Sequence, residues 1–217
     1  MAASMDNLFS REIVRNDEVC LKINQCEIGD VGCVVWDAAI VLAKYLETKD
    51  FDCGKKWKGA RVVELGAGTG ILGIMCASLG ADVIITDLPE FLPLMQCNIK
   101  ENIKKISGRI SAEELTWGKG KMDVSFDFIL VADCIYYDES LEPLVETIRS
   151  LCSQSSTVLC CHEQRTTGNK PELERKFFEL MEKYFTKFKV PLESQDVQFR
   201  SDDIHIHQFH LIKNTST

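Results

Sequence analysis

One junction constrains this chain more than any other. The apolar run Ala60 to Leu65 breaks into Gly66-Ala67-Gly68-Thr69-Gly70, and a second apolar run, Ile71 to Leu79, follows at once. The first run predicts a buried strand, the alternate glycines a tight loop that side chains would obstruct, and the second run a helix. The alternation continues downstream. Ala81 to Thr86 reads as a strand, Phe91 to Ile103 as an amphipathic helix, Arg109 to Thr116 as a weaker strand and Phe126 to Ala132 as a strong one. A helix is expected from about Ser140, with Pro143 in its first turn, where no amide donor is needed. A strand over Thr157 to Cys161 and a helix after Pro171 come next, with Leu173, Phe177, Leu180, Met181, Tyr184 and Phe185 as its core-facing stripe. Strands near Phe188 to Leu192 and Ile204 to Ile212 close the series. Strands alternating with helices of this length fold as α/β, a doubly wound parallel sheet with helices on both faces.

Upstream, Phe9 to Gln25 alternates around a polar Asn16-Asp17 turn and predicts a β-hairpin. Trp36 to Leu46 is almost wholly apolar and too long for a strand, so a buried helix is expected. The organisation is then an extension over residues 1–30 that carries the hairpin, and one domain over 31–217.

Charge and cysteine usage exclude several functions. The formal net charge is −8, and the scattered Lys100, Lys104, Lys105, Lys119 and Lys121 make no basic stripe, which argues against nucleic acid. Met1 to Arg15 lacks the pattern of a secretory leader, and no run of about 18 apolar residues occurs, so neither secretion nor a membrane span is expected. The ten cysteines are dispersed through apolar runs with no two at metal-finger spacing, and read as reduced core residues of a cytoplasmic protein. His205 and His207 share one face of the last strand, but no acid or thiol at matching spacing completes a metal site. No metal is expected, and the default for that strand is a solvated or interface face.

In a doubly wound sheet the ligand lies beyond the carboxyl ends of the strands, where strand order reverses. The glycine loop ends one such strand and Asp87, 21 positions after Gly66, ends the next. An acid there can accept both ribose hydroxyls of a nucleoside. Dinucleotide folds want G-x-G-x-x-G, but position 71 is isoleucine and the third glycine is Gly70. The resulting E-x-G-x-G-x-G resembles the S-adenosylmethionine loop of class I methyltransferases. A nicotinamide-dependent oxidoreductase is the disfavoured alternative.

Phe126 to Ala132 runs into Asp133-Cys134-Ile135-Tyr136-Tyr137, which leaves the sheet on the ligand side. A carboxylate there can attract and orient a basic amine, and an aromatic face can hold a cation. Enzymes that methylate amide or adenine nitrogens commonly carry Asn-Pro-Pro-Tyr at this place; aspartate favours a basic nitrogen.

Gly32-Cys33-Val34-Val35-Trp36-Asp37, Glu64 to Gly70, Asp87-Leu88, Leu115-Thr116-Trp117-Gly118 and Ala132 to Tyr137 together resemble the family 16 protein-lysine methyltransferases. The resemblance implies a Rossmann-like class I domain with a seven-strand, mostly parallel sheet, and S-adenosyl-L-methionine as cofactor. It places Trp36, Glu64, Gly66, Ala67, Gly68, Asp87, Trp117 and Ala132 at the cofactor, and makes Asp133 and Tyr136 the acid-x-x-aromatic substrate motif. Cys161-His162-Glu163-Gln164-Arg165 resembles the family's Tyr-Glu-Gln-Arg segment, with His162 departing from it. The implied reaction is methylation of a lysine ε-amine in a protein, the implied partner the hexameric ATPase valosin-containing protein, and the implied state a monomer. Methylation of a small amine, and a non-catalytic adaptor that keeps the pocket, are the alternatives.

Overall fold

The computed structural model describes residues 7–26, 31–119, 122 and 124–213. Strands β1 (Leu8–Val14) and β2 (Cys20–Cys26) form the expected hairpin, antiparallel with Ile13 opposite Leu21. The remaining strands are β3 (Arg61–Leu65), β4 (Asp82–Asp87), β5 (Arg109–Glu114), β6 (Phe126–Ala132), β7 (Cys152–Glu163), β8 (Phe185–Lys189) and β9 (Ile204–Leu211). They make one sheet in the order β5-β4-β3-β6-β7-β9-β8. The five strands from β5 to β7 run parallel; β9 inserts antiparallel between β7 and β8.

Helices α1 (Asp37–Tyr45), α2 (Ile71–Ser78) and α3 (Leu92–Asn102) cover one face with the hairpin, and α4 (Asp138–Leu151) and α5 (Lys170–Glu182) cover the other. The two cores follow from the period of a strand. Val62, Phe128, Leu130, Leu159 and Cys161 point to the first, and Val63, Leu65, Ile129, Val131 and Cys160 to the second.

The hairpin is held by two side chains of α3. Asn98 and Asn102 are fully buried, lie one turn apart, and meet β2 as another strand would. Asn102 accepts the Lys22 amide at 2.9 Å and donates to its carbonyl at 2.8 Å; Asn98 does the same for Asn24 at 2.7 and 2.9 Å.

Several local expectations are corrected. Helix α4 begins at Asp138 rather than near Ser140, because extended Tyr137 precedes it and Asp138 and Glu139 suit the positive end of its dipole. Pro143 therefore stands in the second turn, inside the helix. Tyr184 and Phe185 leave the α5 stripe: the helix stops at Glu182 and Phe185 opens β8, which ends at Lys189. β7 starts at Cys152, directly after α4. The last strand is not a solvated face, since His207 and Phe209 are buried beneath α5. The expected boundary at 30/31, and Lys121 of the scattered basic set, lie outside the described residues.

Candidate active site

Strand order reverses at β3, which lies between β4 and β6. Leu65 and Val131 are in register, so the glycine loop and the segment from Ala132 leave the sheet side by side. Gly66, Gly68 and Gly70 all have left-handed backbone, with φ of 62°, 52° and 79°. A Cβ on Gly68 would stand 2.5 Å from the Gly32 carbonyl oxygen, and one on Gly66 would stand 2.8 Å from Cys134 Sγ and 2.9 Å from Trp117 Cζ2. Neither position can carry a side chain without moving its neighbours.

Two carboxylates brace the loop. Glu64 Oε2 accepts the Gly73 amide at 2.8 Å from inside the protein, and burial pushes the Glu64 carboxyl up to about 8. Asp87 Oδ2 accepts the Gly68 amide at 2.7 Å, and Oδ1 accepts that of Leu88 at 2.7 Å. The Asp87 carbonyl takes the Leu115 amide at 2.9 Å, which hangs the Leu115–Gly118 loop, and with it Trp117, over the cavity mouth.

Asp133 has φ of 53°, a left-handed conformation that aspartate tolerates better than most residues. Its amide donates to the Cys161 carbonyl at 2.8 Å, and its side chain is only 8% exposed. Arg165 Nη2 reaches Asp133 Oδ2 at 2.6 Å and Glu163 Oε2 at 3.0 Å, while the Glu163 amide approaches Asp133 Oδ1 at 3.4 Å. The same guanidinium lies 5.4 Å from the centre of the Trp36 ring. Trp36 precedes α1, donates its indole N–H to the Val31 carbonyl at 2.8 Å and is 40% exposed. Tyr136 packs edge-on against Tyr137, and its carbonyl accepts the Lys170 ammonium at 3.0 Å.

All ten residues singled out in the sequence line one cavity of about 580 Å³: Trp36, Glu64, Gly66, Ala67, Gly68, Asp87, Trp117, Ala132, Asp133 and Tyr136. Two contributions were not assigned in advance. The bridge from Arg165 to Asp133 and across Trp36 joins residues far apart in sequence, and Lys170 enters the rim from the first residue of α5. Arg165 stands in the Cys161–Arg165 segment noted in the sequence, but its partners Asp133 and Trp36 do not follow from that segment, and Lys170 leaves no local signature.

A doubly wound sheet with its glycine loop at the switch point, an acid ending the next strand and a nucleoside-sized cavity between them define the class I methyltransferase fold. Solved structures agree on that fold. The glycopeptide N-methyltransferase MtfA complexed with sinefungin superposes with a TM-score of 0.61 at 14% identity, over 78% of this chain and 87% of that one. The T. thermophilus 16S rRNA N2 G1207 methyltransferase RsmC, in complex with AdoMet and guanosine, gives 0.63 at 14%, over 97% and 52%.

Sequence relationships are narrower. The family model described as lysine methyltransferase, Methyltransf_16, matches residues 15–184. Protein N-lysine methyltransferase METTL21A of Xenopus tropicalis is 37% identical over 193 residues, 88% of this chain and 82% of that protein. EEF1A lysine methyltransferase 3 of Mus musculus is 38% identical over 137 residues, 62% and 57%. This chain belongs to the family 16 lysine methyltransferases.

Proposed function

We propose that the chain transfers a methyl group from S-adenosylmethionine to a lysine ε-amine of valosin-containing protein, acting as a cytoplasmic monomer. The observation that carries the reaction is the Asp133 carboxylate, shielded from water beside the glycine loop and already paired with a cation that also faces an aromatic ring. A pocket that holds a guanidinium between an acid and an indole has the chemistry to hold an ammonium. The acceptor comes from the resemblance of the sequence motifs. The ten cysteines, all among the described residues and none in a disulfide there, suit a reducing compartment.

The residues present fit the methyl donor. Gly66 and Gly68 let the loop turn tightly against Cys134, Trp117 and the Gly32 carbonyl while still lining the cavity, Asp87 ends β4 where ribose hydroxyls are accepted, and the Trp117 ring offers an apolar wall for a base. When bound, S-adenosylmethionine supplies an electrophilic methyl carbon on a sulfonium sulfur. The protein must present an amine that has lost its proton, although free lysine is an ammonium at neutral pH. Asp133 attracts the incoming ammonium, which gives up its proton to solvent, and fixes the direction of the resulting amine lone pair; Tyr136 lines the same cavity. Arg165 shares the Asp133 carboxylate, so the entering lysine completes a site whose charge is already half-balanced. Alignment of this kind can supply about 7–11 kcal/mol of a barrier.

Intact-mass analysis of recombinant valosin-containing protein, incubated with this chain and S-adenosylmethionine beside a D133N control, tests the reading. Mass gained in methyl steps, and absent in the control, is the expected result. No gain, with cofactor binding intact, would overturn the acceptor and return the choice to another protein, such as the elongation factor acted on by one relative, or to a small amine.

A further inference from the structure

A second cluster of chemistry lies behind the rim of the cavity. β7 and β9 pair with His162 directly opposite His205, so both rings stand on one face of the sheet, the face that α5 covers. Glu174 of α5 comes down on them, with Oε1 3.2 Å from His162 Nε2. One ligand atom from each of the three lies within 4.8 Å of the other two. His162 is 2% exposed, yet among the described residues neither ring nitrogen has a hydrogen-bond partner. An imidazole buried in that condition lacks something to bind. His205 places Nε2 3.2 Å from the Asp202 carbonyl oxygen, an acceptor that holds one nitrogen as N–H and leaves the other with its lone pair. Phe178 packs against His162 at 5.4 Å between ring centres and walls off the inner side.

We propose that His162, Glu174 and His205 form a binding site for one divalent cation of the zinc type, which ties α5 to β7 and β9. Two imidazoles and a carboxylate, with no thiolate, suit zinc and its neighbours rather than magnesium or calcium, which want oxygen alone. Ligand atoms around a tetrahedral zinc with bonds near 2.0–2.1 Å lie about 3.4 Å apart, close to the separation already present between His162 and Glu174. Glu174 and His205 are only partly buried, which leaves them able to rotate onto the ion and leaves a path from solvent. Water completes the fourth position. Glu163, the residue after His162, pairs with Arg165 and approaches Asp133 through its amide, so an ion here stiffens the wall that presents the acid. This inference does not depend on which amine is methylated.

The test is calorimetric titration of Zn²⁺ into the metal-stripped, reduced full-length chain, repeated with Mg²⁺, and absorption spectroscopy with Co²⁺. One equivalent of zinc, a dissociation constant of micromolar order or tighter, no magnesium binding and a four-coordinate cobalt spectrum without thiolate charge transfer are expected. Glu174→Gln and His205→Gln, both at partly exposed positions, should each weaken zinc at least tenfold while leaving S-adenosylmethionine affinity unchanged. Absence of saturable one-equivalent binding, binding undiminished in both variants, or a thiolate signature from the cysteines would overturn the site.

Discussion

Asp133 holds a left-handed backbone that costs most L-residues energy, and its carboxylate is kept in place by Arg165 and approached by the Glu163 amide. Asparagine tolerates that backbone equally well and has nearly the same shape. Asp133→Asn is therefore expected to fold and to keep cofactor affinity while losing about 10²- to 10⁴-fold in single-turnover rate; an unchanged rate would remove the acid from the reaction. Arg165→Lys separates charge from geometry. Lysine keeps the cation but not the planar fork that spans Asp133 and Glu163 while lying over Trp36. We expect kcat to fall about tenfold at constant cofactor Kd, as for loss of one charge-assisted hydrogen bond. Rapid-quench turnover beside equilibrium binding of S-adenosylmethionine distinguishes this from a general loss of fold.

Helix α3 joins two elements that have no strand-to-strand contact with each other. Its Asn98 and Asn102 satisfy the outer edge of β2, and Asn98 also donates to the Thr69 carbonyl at 2.9 Å, so one side chain ties the hairpin to the glycine loop. Asn98→Ala would leave the Asn24 amide and carbonyl unpaired against a buried surface, at a cost of about 1–3 kcal/mol. Hydrogen exchange should speed up across β2 and at the loop, while β6 and β7 keep their protection; uniform loss of protection would mean that the hairpin and sheet unfold as one unit. The helices also explain where the sequence misled. Pro143 suggested a first turn, but two acids and an extended tyrosine ahead of it start α4 earlier, and a helix covered by its neighbours can absorb one missing hydrogen bond.

At the scale of the molecule, the buried Glu64 links fold stability to pH. Its folded pKa of about 8 lies above the ordinary carboxyl value of 4.5, so its contribution is complete below 4.5, declines as pH rises, and is lost above about 8. His207, depressed to about 3, acts in the opposite sense: it contributes above 6.5 and loses that contribution as pH falls. Subtracting the Tm profile of Glu64→Gln from that of the parent isolates the first effect, because His207 is common to both. The difference should fall from pH 5.5 to 8.5, and a flat difference would place the carboxyl at its ordinary value. Much of this molecule is local and therefore legible in the sequence. Alternate glycines, strand-period valines and acids at strand ends act through neighbours a few residues away, so the sheet, the glycine loop and Asp87 follow from pattern, whereas only the family resemblance places Trp36, Trp117 and Ala132 at the cavity. What the tertiary structure alone decided depends on contacts across many residues. The insertion of β9 beside β7 sets His205 opposite His162; the lie of α5 brings Glu174 onto both, supplying the acid that no spacing along β9 could; and the turn after β7 swings Arg165 back to Asp133 and Trp36. Periodicity assigns a residue to a face, and only the packing of whole elements decides which faces meet.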